Sequence, residues 1–385
     1  MIINPDGGPR AAYIHIPFCE HICHYCDFNK VFLKGQPVDK YLDFLEREIE
    51  LTLAQHPPGK MDSVFVGGGT PTSLDERQLE RLCGIIANHL PLNEETEYTF
   101  EGNPGDLSLE KLKVLKDHGV NRLSLGVQTF NNVLLERIGR SHRAEDVFTT
   151  IANARKAGFE NISLDLIYAL PGQTLEDFKD TLEKAFSFGL PHFSGYSLII
   201  EPKTVFYNLM RKGRLPLPGE DIEAAMFELL MEEMERHGCH QYEISNFAKE
   251  GYESKHNLTY WSNEPYYGFG AGAHSYLAGY RRSNAGPLNK YMSPLEDGHL
   301  PIFEESEVSR QEAMEEEMFL GLRKVDGVDK ARFKEKFGMP LDSIFSKQLE
   351  DLSKKGLIDA NGDRIRLTNK GRMLGNEVFQ EFLVG

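Results

Sequence analysis

The sequence is poor in cysteine, in tryptophan and in long apolar runs. It contains 5 cysteines and 1 tryptophan among 385 residues. No uninterrupted apolar stretch approaches the roughly 20 residues that a membrane-spanning helix needs, so we expect no stable membrane insertion. The first residues form neither the basic segment nor the apolar segment of a secretory signal, and we therefore expect a cytoplasmic protein.

Positive charge is also scarce, and this excludes a further class of function. Lysine and arginine together number 43, against 59 aspartates and glutamates, and the formal net charge at pH 7 is −16. An acidic surface of this kind repels phosphate backbones. We therefore expect no nucleic-acid partner.

The few cysteines are concentrated in one short stretch. Cys19, Cys23 and Cys26 follow the spacing CxxxCxxC. Thiolates are soft ligands, and a [4Fe–4S] cluster normally takes four of them, so three would leave one iron open. A zinc site with three cysteines and one histidine is the alternative, and the spacing alone favours the cluster only modestly. The histidines within reach are His15, His21 and His24.

Apolar strands and amphipathic helices alternate along the first half of the chain. Helical spacing of apolar residues separates one strand from the next. This alternation is typical of βαβ units and a parallel sheet, and six units predict a partial, TIM-like (β/α)6 barrel. The six predicted strands cover residues 12–16, 64–66, 98–101, 122–127, 162–167 and 193–199.

Polar or glycine-rich features lie at or near the ends of the first five strands. The cysteine loop is the first and the glycines at 67–69 are the second, followed by Glu101, Gln128 and Asp165. Alone, each has an ordinary explanation, such as a tight turn or a helix cap. Because active sites of such barrels lie where strands end, the series predicts one site at the barrel mouth.

The pattern changes after residue 202. Residues 220–236 predict a long amphipathic helix, and residues 238–283 predict strands and loops. Helices and a hairpin around Asn361 and Gly362 then predict a winged-helix-like α+β unit. The predicted divisions are a tail at 1–10, the barrel at 11–202, a barrel-completing region at 203–304 and the winged-helix-like domain at 305–385.

Taken together, these motifs resemble those of the radical S-adenosylmethionine (SAM) enzymes. Over about 10–382 the chain resembles, more narrowly, the coproporphyrinogen III dehydrogenase (HemN-like) family. The resemblance implies that Cys19, Cys23 and Cys26 hold a [4Fe–4S] cluster, with SAM on the open iron. It is carried by YIHIPFC from Tyr13, GGGTPT from Gly67, GVQTF from Gly126 and DLIYALPG from Asp165.

The resemblance also implies the composition of a SAM pocket. Tyr13 and Tyr25 would border the cofactor, with Tyr25 near the adenine. Arg140 is suited to the carboxylate of SAM, because a guanidinium binds carboxylates through two parallel hydrogen bonds. Contacts to the amino-acid portion would come from Gly68, Gly69 and Thr70, and the remaining pocket residues would be Glu101, Gln128 and Asp165.

Two departures separate the chain from the dehydrogenase members of that family. They carry a further cysteine two residues after the third cluster cysteine, where this chain has Phe28, and they have a long amino-terminal extension, whereas eighteen residues precede Cys19 here. Conversely, His256-Asn257-Leu258-Thr259-Tyr260-Trp261 fits the HNxxYW motif of the haem-chaperone (HemW) branch.

The HNxxYW motif implies contact with haem. Histidine commonly ligates haem iron, and Tyr260 and Trp261 would offer flat apolar surface to a porphyrin, with Asn257 beside them. Without the resemblance, the ordinary interpretation is favoured, in which His256 and Asn257 are loop residues and the aromatic residues belong to the core.

We therefore expect a haem chaperone that binds haem and a SAM-coordinated cluster and transfers haem to an acceptor protein, such as a respiratory haem protein. The electron donor is not identified by the sequence, and whether the protein is also an enzyme stays open. The alternative is an oxygen-independent coproporphyrinogen III dehydrogenase that acts by radical oxidative decarboxylation. A zinc-bound structural module is the third hypothesis.

Overall fold

A nine-stranded sheet forms the centre of the computed structural model, which describes residues 8–383. Six neighbouring parallel strands are the predicted barrel strands, each ending within two residues of its predicted limits. Apolar residues alternate with polar ones along most of these strands, as in Leu123, Ser124 and Leu125, and residues of both kinds are buried. They are β1 Ala11–Ile16, β2 Ser63–Gly68, β3 Glu97–Gly102, β4 Arg122–Gln128, β5 Asn161–Tyr168 and β6 His192–Ser197.

The helices between these strands bury one apolar face each. In the first helix, Leu42, Leu45 and Ile49 are fully buried, and the second begins with a capping box at Asp75. Because the strands are parallel, their carboxyl ends meet at one edge of the sheet. The helices are α1 Val38–Gln55, α2 Glu76–His89, α3 Leu109–Asp117, α4 Asn132–Arg137, α5 Ala144–Lys156 and α6 Leu175–Phe186.

The region after residue 202 extends both edges of the sheet. Strand β8 (Asn246–Ala248) pairs antiparallel with β6 and with β7 (His240–Glu243). Strand β9 (Tyr267–Phe269) pairs parallel with β1 at the opposite edge. This pairing depends on tertiary contacts, and no local pattern in the sequence reveals it. Two helices precede these strands, α7 Val205–Arg211 and α8 Glu220–Arg236.

One element in this region was predicted wrongly. Residues Lys255–Trp261 form a helix, α9, rather than strand or loop. The helix has seven residues, which is too short for its apolar spacing to stand out, and its N-cap is Ser254, whose side chain accepts from the amide of Asn257. The HNxxYW motif therefore lies on a helix.

A smaller antiparallel sheet and a helix follow α9. Strand β11 is central in this sheet, between β10 and β12. The sequence-based domain boundary at 305 falls inside the last strand, which pairs with β11. These elements are β10 His274–Leu277, β11 Tyr280–Asn284, α10 Leu288–Glu296 and β12 Ile302–Glu307.

The carboxyl-terminal unit has a hydrophobic core of its own, which includes Met318, Phe333, Phe345 and Ile365. The hairpin around Asn361 and Gly362 is present, and its second strand also pairs with β13. The unit comprises α11 Arg310–Gly321, β13 Val328–Asp329, α12 Lys330–Phe337, α13 Leu341–Ile344, α14 Ser346–Lys354, β14 Ile358–Asp359, β15 Arg364–Leu367, α15 Asn369–Met373 and α16 Gly375–Gln380.

Two further observations concern sequence-based expectations. Residues 1–7 of the predicted tail lie outside the described residues. Across residues 8–383, no helix combines the length and the apolar composition that crossing a membrane requires.

Candidate cofactor site at the barrel mouth

The three clustered cysteines lie on a loop that leaves the carboxyl end of β1. Residues Phe18–Cys19 pair in parallel with Val31–Phe32, which closes the loop on itself. Cys19 is buried, whereas Cys23 and Cys26 are half-buried. The hydroxyl of Thr70 donates to the Sγ of Cys19 over 3.6 Å. The loop is thus held against the end of β2.

Burial controls the acidity of two of these thiols. Desolvation raises the pKa of Cys19 to about 11, against the lowering effect of the Thr70 hydrogen bond. Desolvation also raises the pKa of Cys26, and the charge of Cys23 adds to it. Both thiols therefore carry protons in the metal-free protein, and binding of iron must displace them.

The donor set fits an iron–sulfur cluster. Within residues 8–383, no three histidine, cysteine or acidic side chains converge closely enough to hold one metal ion. A four-iron cluster does not require such convergence, because each thiolate binds a different iron. Three soft thiolate donors on one loop suit this kind of ligand.

The glycines at the end of β2 pack closely against their neighbours. Gly68 has a φ of 114°, and its amide donates to Oε2 of Glu101 over 3.1 Å. A Cβ on Gly69 would lie 2.8 Å from the backbone of Pro17 and Phe18. A Cβ on Gly68 would lie 2.5 Å from the ring of His15, so side chains at these two positions would push against His15 and the cysteine loop.

Arg140 lies against the cysteine loop. Its Nη1 is 3.4 Å from the Sγ of Cys23, and its Nη2 donates to Oδ1 of Asn103 over 2.6 Å and to the carbonyl of Gly126. Asn103 also donates to Thr70 over 3.1 Å. The sequence analysis missed Asn103, although its position directly after β3 follows the same rule that identified Glu101.

Two further predicted SAM residues, Tyr25 and Gln128, belong to the same end of the barrel. Tyr25 lies beside Arg140 and Cys23, and burial raises the pKa of its phenol. Gln128 is buried and has a φ of 66°, at a bulge where β4 loses register with β5. Non-glycine residues rarely adopt this backbone conformation, and where they do, they are often found at functional sites.

A cavity of about 180 Å³ extends from the mouth into the barrel. Three predicted SAM residues, Tyr13, Glu101 and Asp165, lie on its wall, and so do three residues of the HNxxYW motif. The structure thereby brings together two groups of residues that the sequence analysis treated separately. Lining residues that the sequence analysis did not identify are Phe65, Arg122, Ser124, Ser194, Tyr196 and Asn246.

The two carboxyl groups in the cavity have different surroundings. Burial, followed by the charge of Asp165, raises the pKa of Glu101 to about 7, while Arg122 opposes this shift. Asp165 accepts hydrogen bonds from Ser194 over 2.7 Å and from Ser124 over 3.0 Å. Burial raises the pKa of Asp165 as well, but these hydroxyls favour its ionised form.

Helix α9 closes the opposite end of the barrel. The carboxylate of Glu97, at the start of β3, accepts from the amides of Lys255 and His256 over 2.9 and 3.1 Å and from the Ser254 hydroxyl over 3.1 Å. These bonds satisfy donors that a helix otherwise leaves free at its first turn. The HNxxYW motif is thus held at the floor of the cavity.

His256 is enclosed inside the barrel. It is 1% exposed, its Nδ1 is 3.0 Å from the hydroxyl of Ser63, and its Nε2 is 2.8 Å from the hydroxyl of Tyr260. Burial, with a contribution from the charge of Arg122, lowers the pKa of the imidazole to about 3. The ring is therefore neutral, and both of its nitrogens are engaged by hydroxyl groups.

Trp261 faces a different part of the molecule. It is not among the cavity-lining residues, and the guanidinium of Arg323, from the carboxyl-terminal unit, lies 5.1 Å from its ring centre. Asn257 and Tyr260 remain on the cavity side. The structure therefore divides the motif between the barrel interior and an interface.

Comparisons with known proteins agree with this architecture. A family model described as the radical SAM superfamily matches residues 13–185, and one described as the HemN C-terminal domain matches residues 308–374. A solved structure described as coproporphyrinogen III oxidase (HemN) from Escherichia coli has a TM-score of 0.86 at 24% identity, covering 100% of this chain and 92% of that chain. This likeness concerns the fold and confirms the predicted fold class.

Full-length relatives narrow the family. A Bacillus subtilis (strain 168) protein named heme chaperone HemW is 57% identical, over 97% of this chain and 99% of its own length. A Lactococcus lactis subsp. lactis (strain IL1403) protein of the same name is 49% identical, over 98% of both chains. The superfamily implies a [4Fe–4S] cluster and SAM as cofactors. The chain belongs to the HemW family of the radical SAM superfamily.

Proposed function

We propose that this protein is a haem chaperone, which binds haem and delivers it to an acceptor protein such as a respiratory haem protein. The observation that carries the proposal is the 57% identity, over nearly the whole chain, to a protein named heme chaperone HemW. Position 28 is Phe28 in this chain, whereas dehydrogenase members of the family have a cysteine there. This difference supports haem delivery over porphyrinogen oxidation.

In this proposal, Cys19, Cys23 and Cys26 hold a [4Fe–4S] cluster and SAM binds at its open iron. The cluster and SAM together supply radical or redox chemistry when bound. Thr70 and Arg140 position the thiols, because each contacts a sulfur atom. Tyr13, Glu101 and Asp165 form the adjoining wall of the SAM pocket, while Gly68 and Gly69 bring the backbone close to it.

The haem contact through the HNxxYW motif stays a prediction. For His256 to reach haem iron through Nε2, its hydrogen bond to Tyr260 must break and α9 must move, since the ring is 1% exposed. Trp261 is half-buried and already partnered by Arg323. Haem binding through this motif therefore requires the barrel floor to open.

Anaerobic haem titration of the purified, cluster-reconstituted protein tests the function. We expect a shifted Soret band at one haem per chain, and transfer of that haem to an apo-acceptor. His256→Ala and Trp261→Ala report on the motif, with the exposed His274→Ala as the matched control. Thermal unfolding of each variant separates lost contact from lost folding. The absence of a Soret shift in the wild-type protein would contradict the proposal.

A parallel assay distinguishes the enzyme. The same sample is incubated anaerobically with coproporphyrinogen III, SAM and a reductant. Formation of protoporphyrinogen with release of carbon dioxide would identify a dehydrogenase and overturn the chaperone as the main function. We expect neither product.

A further inference from the structure

Arg122, the first residue of β4, is buried inside the barrel, and no described residue forms an ion pair with it within 4 Å. Its exposed fraction is 2%, and it lines the cavity beside Glu101 and Asp165. Within the part of the chain that the structure describes, its Nε has no hydrogen-bond partner and no ion pair includes it. A buried charge in this condition is strongly unfavourable unless something compensates it.

The neighbouring polar groups have partners of their own. Asp165 is satisfied by serine hydroxyls, and Glu101 accepts from the amide of Gly68. Arg140, the guanidinium at the barrel mouth, binds Asn103 and Gly126. Arg122 is different, because it lines the cavity and its Nε–H has no hydrogen-bond partner among the described residues.

The effect of this charge extends across the cavity. Burial, followed by the charge of Arg122, lowers the pKa of both His256 and His192. Both imidazoles are therefore neutral, and they add no positive charge beside Arg122.

The size and lining of the cavity define what it accepts. About 180 Å³ is well below the roughly 300–1,000 Å³ of pockets that enclose whole drug-sized ligands. Asn257 and Tyr196 line the same cavity as Arg122 and add polar side chains to its wall, whereas the Nδ2 of Asn246 already donates to Glu243. A planar guanidinium matches a carboxylate in charge and in geometry.

We propose that this cavity is a carboxylate-binding site in which Arg122 is the counterion of a carboxylate carried by a bound molecule. Two sources share this chemistry. One is a propionate side chain of haem, an assignment that rests on the proposed function. The other is the amino-acid carboxylate of SAM.

Sodium propionate is the direct probe, because it needs neither haem nor a cluster. We expect it to raise the thermal unfolding temperature of the wild-type protein in a saturable manner, relative to sodium chloride at equal ionic strength. Arg122→Gln should abolish this shift, and Arg122→Lys should keep part of it. The control is Arg77→Gln, which removes a positive charge from an exposed site. Equal shifts in wild type and Arg122→Gln, or none in either, would overturn the site.

A second measurement covers the case in which Arg122→Gln does not fold. Arg122→Met removes an uncompensated buried charge and keeps most of the volume of the side chain. We expect the ligand-free Arg122→Met protein to unfold at a higher temperature than the wild type. A lower unfolding temperature would mean that the protein itself satisfies Arg122, and the proposal would be wrong.

Affinities for the two larger molecules identify the source. If haem is the source, Arg122→Gln weakens haem binding at least tenfold, and haem dimethyl ester binds the wild type as weakly. If SAM is the source, SAM binding weakens instead and haem binding is unchanged. Unchanged affinity for both overturns the inference. Failure of the wild type to bind haem contradicts the proposed function, and the propionate result then decides the inference alone.

Discussion

At the scale of single residues, the cluster-loop cysteines differ from the other two in their surroundings. Cys19 contacts Thr70, and Cys23 contacts Arg140. Cys83 is fully buried on α2, where burial raises the pKa of its thiol. Cys83 is therefore a packing residue, whereas Cys19 and Cys23 lie among polar groups at the barrel mouth.

This difference predicts the effect of removing one thiol. Cys23→Ala should lower the iron and sulfide content of anaerobically reconstituted protein to less than half of the wild-type value, because a cluster held by two thiolates dissociates readily. Chemical analysis of iron and sulfide, together with absorbance near 400 nm, measures the cluster content of the variant and of the wild type. Cys83→Ala is the matched control and should keep wild-type iron. Full iron content in Cys23→Ala would argue against a cluster on this loop.

At the residue scale, strand ends in the sequence pointed to polar residues that the fold brings close together. Glu101, Gln128 and Asp165 were selected because they lie at or near predicted strand ends, and Glu101 and Asp165 share one cavity, although Asp165 lies within β5. Arg122 was missed because it begins a strand, at the end of a barrel that is ordinarily the stability face. Only the position of α9 shows that this end is enclosed.

At the scale of elements, α9 depends on one carboxylate. Glu97 accepts hydrogen bonds from Ser254, Lys255 and His256. We expect Glu97→Ala to lower the free energy of unfolding by about 1–3 kcal/mol, since the first turn loses its acceptors inside the protein. Amide hydrogen exchange in α9 should accelerate by more than exchange in α2.

The exposed Glu94, three residues before Glu97, supplies the control. Glu94→Ala should leave both the free energy of unfolding and the exchange of α9 unchanged. If Glu97→Ala also left α9 as protected as in the wild type, packing of the helix rather than this cap would hold the barrel floor.

A second buried carboxyl links α1 to the loop that follows β9. Glu48 accepts from the hydroxyl of Tyr291 over 2.6 Å, from the amide of Gly270 over 2.7 Å and from the amide of Asn284. Burial raises the pKa of Glu48 from 4.5 to about 7, although these hydrogen bonds lower it in part. The folded protein therefore keeps a proton on Glu48 where the unfolded chain has lost it.

This raised pKa predicts a pH dependence with a defined sign. Between pH 4.5 and 7 the folded state binds more protons than the unfolded state, so the free energy of unfolding falls as pH rises, by about 1 kcal/mol per pH unit from Glu48. Glu48→Gln should lose this slope while keeping a fixed penalty for its altered hydrogen bonds. Urea denaturation at pH 5 and 7 measures both proteins.

Glu101 contributes a slope of the same sign, because its pKa is also raised to about 7. The test is therefore the difference between wild type and Glu48→Gln, in which the contribution of Glu101 cancels. A difference that does not change between pH 5 and 7 would show that the pKa of Glu48 is ordinary in the folded protein.

Element-level prediction succeeded for the barrel and failed for α9, for a physical reason. The barrel strands combine buried apolar residues with a glycine or polar turn at or near their ends, so their limits are visible in the sequence. A seven-residue helix contains two turns and is stabilised mainly by what it packs against. The sequence could not supply those contacts, which come from the amino-terminal ends of β2 and β3.

At the scale of the whole molecule, α9 also joins the barrel to the carboxyl-terminal unit. Arg323 lies 5.1 Å from the ring centre of Trp261 and 4.7 Å from that of Phe379. Arg332 pairs with Glu264 shortly after the helix. The unit with its own core is therefore connected to the floor of the cavity through polar and cation–π contacts.

A double-mutant cycle measures this connection. Trp261→Ala and Arg323→Ala should each destabilise the protein, and the pair should show a coupling free energy of about 0.5–2 kcal/mol. A cycle between Trp261→Ala and the distant Arg77→Ala should be additive within about 0.5 kcal/mol. Additivity in the first cycle as well would mean that the cation–π contact does not connect the two units.

The sequence predicted a barrel and a carboxyl-terminal unit but not how they meet. A change of pattern after residue 202 separated the barrel from the rest of the chain, and the hairpin around Asn361 was recognised from its turn residues. The added strands β8 and β9 were not predictable, because their pairing with β6 and β1 joins residues far apart in the chain.

The position of α9 has a consequence for spectroscopy. The chain has a single tryptophan, and it is the residue of α9 that faces Arg323. Intrinsic fluorescence excited at the indole band therefore reports on one place, the junction between the barrel floor and the carboxyl-terminal unit. Any event that displaces the helix exposes this indole to water and shifts its emission to longer wavelength, without an attached label.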